Sequence, residues 1–297
     1  MLSRIRLFLD TIKFAHTLFA LPFAAVAAFW ARRGWPRWDE AALLLAAMVA
    51  ARTAAMACNR VADAKLDALN PRTRDRAIPA GKLSRRSVAV AAAVAAAAFV
   101  ACAVAFLPLA GNPWPAILCA PVLAVLCGYS YTKRFTVASH WVLGAALGLS
   151  PVGVWIAMTG RIDVLPVLLG AAVAVWTAGF DILYSLQDIE HDRACGLHSV
   201  PARWGAGTAI TVSRVNHVAA ILLLAAAYLW PRVASPGEAF APGRLYLIAV
   251  AALAALLVYE HRLVRADDLS KIDRAFFSVN ATGSVIFAVL AVTDVLL

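Results

Sequence analysis

Nine apolar stretches, most of them about as long as a lipid bilayer is thick, constrain this chain more than any other feature of its sequence. A helix needs about 20 apolar residues to cross the hydrocarbon core of a membrane. Backbone hydrogen bonds in lipid must be satisfied internally, and stretches of this length favour helices over strands. The predicted spans are residues 14–30, 40–58, 87–107, 115–131, 141–159, 164–186, 208–230, 245–259 and 276–296. We therefore predict an all-α polytopic membrane protein with nine transmembrane helices around a central cavity.

Composition and charge agree with this prediction and exclude a nucleic-acid-binding protein. Only 15% of the residues are charged, against about 25% in soluble domains. With the N-terminus in the cytoplasm, nineteen Lys and Arg residues fall in cytoplasmic segments and six in outer loops. This bias follows the positive-inside rule and predicts a cytoplasmic N-terminus. Basic loops beside anionic membrane lipid then explain the net charge of +10.

A polar motif follows the second predicted span. Asn59, Asp63 and Asp67 recur every four residues, so on a helix all three side chains fall within one narrow face. Carboxylate and carbonyl oxygens are the ligands that Mg²⁺ takes in proteins, usually together with phosphate oxygens of a substrate. Taken alone, this spacing is equally compatible with an ordinary solvated helix end.

A second motif repeats the first after 125 residues. Tyr184, Asp188 and Asp192 have the same spacing as the three residues of the first motif. Two such motifs at corresponding places favour a two-sided site for Mg²⁺ and a diphosphate, with Asn59 and the four aspartates as metal ligands and the aspartates as catalytic residues. Tyr184 fits the lining of a substrate cavity and fits equally well an interfacial tyrosine.

The repeat also suggests how the single domain, residues 1–297, is organised. We expect two similar halves, at about residues 40–160 and 164–297, with the first span added to them. The motif loops, at about residues 59–86 and 188–207, then lie together on the cytoplasmic side, where Mg²⁺ and diphosphates are available.

Basic residues beside the motifs are candidates for binding the diphosphate. Arginine binds phosphate bidentately, and lysine acts as a point charge. The residues selected stand beside a proline or a motif, and they are Arg72, Arg76, Lys133 and Arg134.

Two charges lie deeper in otherwise apolar helices. Arg52 precedes Asn59 by seven residues, and Asp181 precedes Asp188 by the same distance, so each lies about two turns further into the membrane on nearly the same face. An isolated charge there costs at least about 2.5 kcal/mol. Two hypotheses are compatible with the spacing: the two side chains pair with each other, or they hold an acceptor substrate in a shared cavity. None of the six histidines has the spacing of a zinc site.

These motifs resemble those of the UbiA superfamily of intramembrane prenyltransferases, and the resemblance covers nearly the whole chain. The family pattern is N-x3-D-x3-D on helix 2 and D-x3-D on helix 6 of a nine-helix fold. Asn59, Asp63 and Asp67 match the first pattern, and Asp188 and Asp192 match the second. The resemblance implies that two Mg²⁺ ions bind a polyprenyl diphosphate, which ionises so that an electron-rich aromatic ring captures the allylic cation.

Three stretches of the sequence are similar to those of one branch of that family. The stretches at residues 16–23, 51–60 and 184–205 resemble 4-hydroxybenzoate polyprenyltransferases, a branch that includes enzymes acting on 1,4-dihydroxy-6-naphthoate in the futalosine route to menaquinone. The implied partners are a polyprenyl diphosphate and an aromatic acid, in ubiquinone or menaquinone biosynthesis at a prokaryotic plasma membrane. Arg60 departs from the Asn-Asp pair of many members, which puts the metal ligands at that end in doubt.

A secondary transporter is the main rival class, because transporters also have paired halves. A transporter places its charges near the middle of the membrane on broken helices. The carboxylates here cluster at the predicted cytoplasmic ends, which favours an enzyme. The acceptor, the isoprenoid length and the oligomeric state stay open.

Overall fold

The structure, a computed structural model, describes residues 2–12, 20–234 and 240–297. Within these ranges the chain forms eleven α-helices and no β-strand. They are α1 (Leu2–Thr11), α2 (Leu21–Arg32), α3 (Trp38–Leu69), α4 (Arg85–Ala110), α5 (Trp114–Thr132), α6 (Ser139–Thr159), α7 (Val164–Tyr184), α8 (Ile189–Ala194), α9 (Val200–Ala234), α10 (Arg244–Leu263) and α11 (Asn280–Leu296). A 3₁₀ turn (Ser185–Asp188) joins α7 to α8, and a π-helical turn (Arg274–Val279) precedes α11.

Eight of the helical segments are long and apolar enough to cross a membrane, and each coincides with a predicted span. The first predicted span, residues 14–30, is represented by α2, which has 12 residues; residues 14–19 lie outside the described part of the chain. The all-α membrane architecture is therefore confirmed, and the count of nine spans stays a prediction.

Two helices extend beyond the predicted spans. α3 continues to Leu69, eleven residues past the predicted end, and carries the whole first motif. α9 begins at Val200 and contains a break at Gly205, whose φ of 82° lies in the left-handed region that favours glycine. The prediction of a span starting at residue 208 missed the short helical segment before this break.

Small residues let α6 and α7 approach closely. A Cβ atom at Gly144 would lie 2.1 Å from the backbone oxygen of Ala174, and one at Gly148 would lie 2.4 Å from that of Gly170. Glycines spaced four apart are a common device for close helix packing in membranes. This packing fixes α7, which leads directly into the second motif.

Aromatic side chains form much of the bundle core. Phe23 on α2 contacts Trp176 on α7 and Phe287 on α11, with ring centroids 5.3 and 5.2 Å apart. Tyr246 on α10 contacts Phe287 edge-on at 5.6 Å. All four rings are almost fully buried, and they hold α2, α7, α10 and α11 together.

Candidate active site

The two motifs meet at one end of the bundle. Asp188 of the second motif accepts hydrogen bonds from Arg72 and Asn70, which follow the first motif on the turn after α3. The Arg72 guanidinium contacts both carboxylate oxygens, at 3.0 and 2.5 Å, and Asn70 Nδ2 lies 2.8 Å from Oδ1. The turn that follows the first motif is therefore in direct contact with the second motif.

In the first motif, the helical spacing places neighbouring side chains in contact. Asn59 Nδ2 donates to Asp63 Oδ2 over 2.7 Å and to Ser130 Oγ over 3.3 Å. Arg134 approaches the other Asp63 oxygen at 3.6 Å. Asp63 is the more exposed of the two aspartates, with 25% of its side chain accessible.

One turn further on, Asp67 lies between two arginines. Arg76 donates to its Oδ1 over 2.7 Å, and Arg60 lies 3.6 Å from Oδ2. Arg60, the departure from the family pattern, is itself buried and donates to the backbone oxygen of Thr11 over 3.2 Å. The residue that puts the metal ligands in doubt is thus one of the cations that neutralise Asp67.

In the second motif, the structure corrects the expectation of a repeated helix face. α7 ends at Tyr184, the 3₁₀ turn carries Asp188, and α8 carries Asp192. A 3₁₀ turn has 3.0 residues per turn where an α-helix has 3.6, so the four-residue step does not keep the two aspartates on one face. Asp192 is fully buried, accepts from Ser199 Oγ over 2.7 Å and lies 2.8 Å from Lys133 Nζ.

Every motif aspartate therefore has a basic partner. The pairs are Asp63 with Arg134, Asp67 with Arg76 and Arg60, Asp188 with Arg72, and Asp192 with Lys133. Burial opposes the charge on Arg72, but its hydrogen bond to Asp188 and the nearby carboxylates outweigh burial and raise the pKa of its guanidinium above the ordinary value. All four cations predicted to bind the diphosphate thus lie beside the carboxylates.

A cavity of about 640 Å³ opens beside Asp67 and its two arginine partners. Asp67, Arg72, Arg76 and Tyr184 line it, together with Arg60 and the aromatic residues Phe276 and Phe277. Tyr184 stacks on Phe276 with centroids 4.0 Å apart, and its hydroxyl accepts a hydrogen bond from Arg72 over 3.1 Å. Tyr184 is therefore a cavity residue, as one of the two interpretations of the sequence held.

Arg134 faces a different space. It lines a separate cavity of about 450 Å³ with Lys65, Arg85 and the loop at residues 195–197. Lys133 and Asp192 line neither cavity. The basic residues selected from the sequence are thus split between two sides of α3.

The proposed ion pair between Arg52 and Asp181 is wrong. Asp181 contacts His140 instead, with Oδ2 2.6 Å from Nδ1 of the imidazole. No ion pair involves Arg52 within the described ranges, and its Nε atom is buried without a hydrogen-bond partner. A seven-residue spacing on two separate helices does not determine which side chains meet, because that depends on the helix packed between them.

Sequence reasoning also missed four polar residues that complete the site. Asn70 and Ser199 bind aspartates of the second motif, Ser130 binds Asn59, and His140 binds Asp181. Asn70 and Ser199 stand close to the motifs, in NPRT and LHSVP. Their closeness to the motifs in sequence could have identified them as site residues. Ser130 and His140 gave no such signal, because they are far from their partners in sequence.

The donor atoms of this site fit Mg²⁺. They are carboxylate and amide oxygens, the class that this ion prefers, and Mg²⁺ usually takes one or two carboxylates plus substrate phosphates. The Oδ2 atom of Asp67 is buried without a hydrogen-bond partner. Across residues 2–12, 20–234 and 240–297, no three His, Cys, Asp or Glu side chains form a metal-binding group by themselves.

Comparison with known proteins gives a consistent result. The chain matches the model of the UbiA prenyltransferase family over residues 20–282. It is 32% identical to a 4-hydroxybenzoate octaprenyltransferase from Cupriavidus necator over 89% of this chain and 88% of that protein. It is 30% identical to one from Aromatoleum aromaticum over 93% of this chain and 86% of that protein.

Solved structures share the fold. A UbiA homologue from Aeropyrum pernix, solved in its apo form, is 32% identical and superposes with a TM-score of 0.81 over 95% of this chain and 98% of that chain. A UbiA homologue from Archaeoglobus fulgidus, bound to DMAPP and Mg²⁺, has a TM-score of 0.72 at 17% identity, over 97% of this chain and 98% of that chain. The chain therefore belongs to the UbiA prenyltransferase family, and it is an integral membrane prenyltransferase.

Proposed function

We propose that this prenyltransferase moves a polyprenyl group from its diphosphate to an aromatic hydroxy acid of the 4-hydroxybenzoate type, in quinone biosynthesis, with Mg²⁺ as cofactor. The observation that carries the proposal is the contact of the two motifs, with Asp188 hydrogen-bonded to Arg72 and Asn70 at one end of a membrane bundle. The names of the curated relatives supply the acceptor class, and the homologue bound to DMAPP and Mg²⁺ supplies the donor and the ion.

In this proposal the carboxylates and the basic residues divide the work on the donor. Asn59, Asp63, Asp67, Asp188 and Asp192 are the residues that would hold Mg²⁺. Bound Mg²⁺ would neutralise charge on the leaving diphosphate. Arg72 and Arg76, which line the cavity, would turn from the carboxylates to phosphate oxygens, and Lys133 and Arg134 would add positive charge nearby.

The cavity then protects and directs the reaction. The C–O bond of the allylic diphosphate breaks, a carbon of the aromatic ring forms a C–C bond, and the ring loses a proton; the products are the prenylated acid, diphosphate and H⁺. Tyr184 and Phe276 place stacked aromatic faces on the cavity wall, where they exclude water from the cation and attract its charge. We assign Arg52 to the acceptor carboxylate and Asp181 to its hydroxyl.

A second acceptor, 1,4-dihydroxy-6-naphthoate, has the same chemical groups. It is also an aromatic carboxylate with a phenolic hydroxyl, so an acceptor site built from Arg52 and Asp181 fits both molecules. The resemblance of the motif stretches to that branch of the family supports 1,4-dihydroxy-6-naphthoate as the alternative acceptor.

The placement in the cell follows from charge. We propose that the protein lies in the bacterial inner membrane with its N-terminus and active site on the cytoplasmic side, because nineteen basic residues fall on that side and six on the other. We also propose that the chain is one domain of two similar halves, on the strength of the 125-residue offset between motifs.

The test is an assay of the purified protein with Mg²⁺, a polyprenyl diphosphate and each aromatic acid in parallel. Prenylated product from one acid, lost on chelation, is expected. Asp63→Ala and Asp188→Ala should each lower the rate by at least about a hundredfold, a typical cost of removing one charge-stabilising group. Asp267→Ala, which removes a carboxylate with 71% of its side chain exposed, is the control and should act like the wild type. Transfer that survives both active-site changes overturns the proposal.

A further inference from the structure

His140 on α6 has a different partner on each ring nitrogen. The backbone N–H of Val200 donates to Nε2 over 3.3 Å, and Nδ1 lies 2.6 Å from Asp181 Oδ2. Because Nε2 accepts a hydrogen bond, the ring proton is on Nδ1 and is donated to the carboxylate. Only 3% of the imidazole side chain is accessible. The ring is therefore held between α7 and α9 and cannot turn away from Asp181.

Asp181 is the accessible member of this pair. Its side chain is 26% exposed, whereas its neighbours Phe180 and Ile182 are 3% and 0% exposed. Along α7, the three-residue step from Asp181 to Tyr184 turns the side chain by about 60° and advances it by about 4.5 Å. Tyr184 lines the 640 Å³ cavity. Asp181 is not among the residues that line it, and its exposed carboxylate lies about one turn deeper than Tyr184 along α7.

The Asp181 carboxylate has one oxygen in use and one available. Oδ2 accepts from His140, and no other side chain in the described part of the protein is hydrogen-bonded to this carboxylate. The hydrogen bond from the imidazole fixes the rotation of the carboxylate. The free oxygen is thus a preorganised hydrogen-bond acceptor, set apart from the aspartates that face the basic residues.

We propose that His140 is a positioning residue for the aromatic acceptor. It holds Asp181 so that the free carboxylate oxygen accepts a hydrogen bond from the acceptor's phenolic hydroxyl. This inference rests on the proposed function. A phenol that shares its proton with a carboxylate releases more electron density into the ring, so the ring carbon beside the hydroxyl captures the allylic cation more readily. The same contact sets the ring one turn below the diphosphate.

The variants separate positioning from packing. His140→Ala removes the donor, and His140→Gln retains an amide N–H that can reach Asp181. Asn216→Ala is the matched control. Asn216 accepts a hydrogen bond from Trp141 Nε1 over 2.8 Å, so this substitution removes a neighbouring contact between α6 and α9. Each purified variant is first checked for its thermal unfolding temperature in detergent.

The readouts are the KM values of the two substrates and the number of prenylated product molecules formed per diphosphate released. His140→Ala should raise the acceptor KM by about tenfold or more, the value of one hydrogen bond to a charged group. The KM of the polyprenyl diphosphate should stay within about twofold, since a site a full turn away is not in contact. Fewer prenylated products should form per diphosphate released, because water captures the cation that the misplaced ring misses.

The acceptor KM of His140→Gln should be much closer to the wild-type value than that of His140→Ala. Asn216→Ala should leave the acceptor KM unchanged. Equal changes in both KM values, or the same loss in Asn216→Ala, would show a packing role and overturn the inference. If His140→Ala does not fold, Asp181→Asn decides: an unchanged acceptor KM in that variant overturns the inference. A wild-type protein that prenylates neither acid overturns the proposed function and this inference together, whereas an active wild type with an insensitive His140 overturns this inference alone.

Discussion

The first motif stands on a single helix, whereas the backbone of the second changes its helix type between the two aspartates. α3 runs without a break past Asp67 to Leu69, but α7 ends at Tyr184 and a 3₁₀ turn carries Asp188 before α8 begins. The same four-residue spacing therefore presents its carboxylates along one face in the first motif. In the second motif, Asp188 faces Arg72 and Asp192 is buried against Ser199 and Lys133.

The motif aspartates have equivalent positions in the sequence but different surroundings in the structure. Asp63 lies on a partly accessible face of α3, and Asp188 lies at the contact between the motifs. Asp192 has no accessible surface, and its partners tie α8 to the start of α9 and the end of α5. These contacts hold the second motif in position.

The largest expected effect is therefore on stability, and it separates Asp192 from Asp63. Asp192→Ala leaves the buried Ser199 hydroxyl and the partly exposed Lys133 without their partner, and leaving a buried polar group unsatisfied costs about 1–3 kcal/mol. Asp63→Ala removes a partly exposed group whose ion pair is 3.6 Å long, which costs about 0–1 kcal/mol. Thermal unfolding in detergent measures both. Equal losses for the two variants would remove the distinction between the motifs.

The packing of α6 on α7 offers a second way to disturb one motif. Gly144→Ala places a methyl group 2.1 Å from a backbone oxygen of α7, so the helices must separate; overpacking of this kind costs about 1–3 kcal/mol. Gly153→Ala on the same helix meets nothing within 4 Å and should keep or slightly raise the unfolding temperature. The KM of the prenyl diphosphate should also rise in Gly144→Ala, because α7 positions Asp188. A Gly144→Ala protein as stable as Gly153→Ala contradicts the close packing.

Arg72 tests the contact between the motifs at a smaller scale. Its guanidinium meets both oxygens of Asp188 and the Tyr184 hydroxyl, and the compact ammonium of lysine cannot make these contacts together. We expect Arg72→Lys to lower kcat/KM by about tenfold. Arg74→Lys, an exposed change in the same turn, serves as the control and should leave steady-state kinetics unchanged. Similar kinetics in the two variants would mean that the two-pronged contact has no role.

The smallest effect belongs to Tyr184. Tyr184→Phe removes the hydroxyl that accepts from Arg72 over 3.1 Å and retains the ring stacked on Phe276. A loss of about fivefold in kcat/KM is expected, which corresponds to one ordinary hydrogen bond, with the product ratio unchanged. Tyr184→Ala should also lower the yield of product per diphosphate released. Should the two variants behave alike, the aromatic face is not needed.

The sequence predicts the membrane architecture well. An apolar stretch of about 20 residues is long enough to cross a bilayer as a helix, whose backbone hydrogen bonds are satisfied internally. The sequence also predicts the arrangement of the first motif, because the periodicity of that motif on α3 is local. It misses the end of α3 because the count of apolar residues stops where the helix becomes polar, although Asn59, Asp63 and Asp67 continue the same helical spacing.

Contacts between distant helices could not be predicted. His140 and Asp181 are 41 residues apart, and nothing in the sequence near either residue indicates that α6 brings an imidazole to Asp181. The four-residue spacing also does not indicate the 3₁₀ turn at Ser185–Asp188.

The central claim is that the two unlike motifs form one site for Mg²⁺ and a prenyl diphosphate. The direct measurement is binding of a non-hydrolysable polyprenyl diphosphate analogue with and without Mg²⁺, to the wild type, Asp63→Ala, Asp188→Ala and the double variant. We predict Mg²⁺-dependent binding that each single change weakens by at least about tenfold, with a double variant clearly less impaired than the sum of the two, as expected for groups that share one ligand. Binding that needs no Mg²⁺, or strictly additive losses, would contradict the claim.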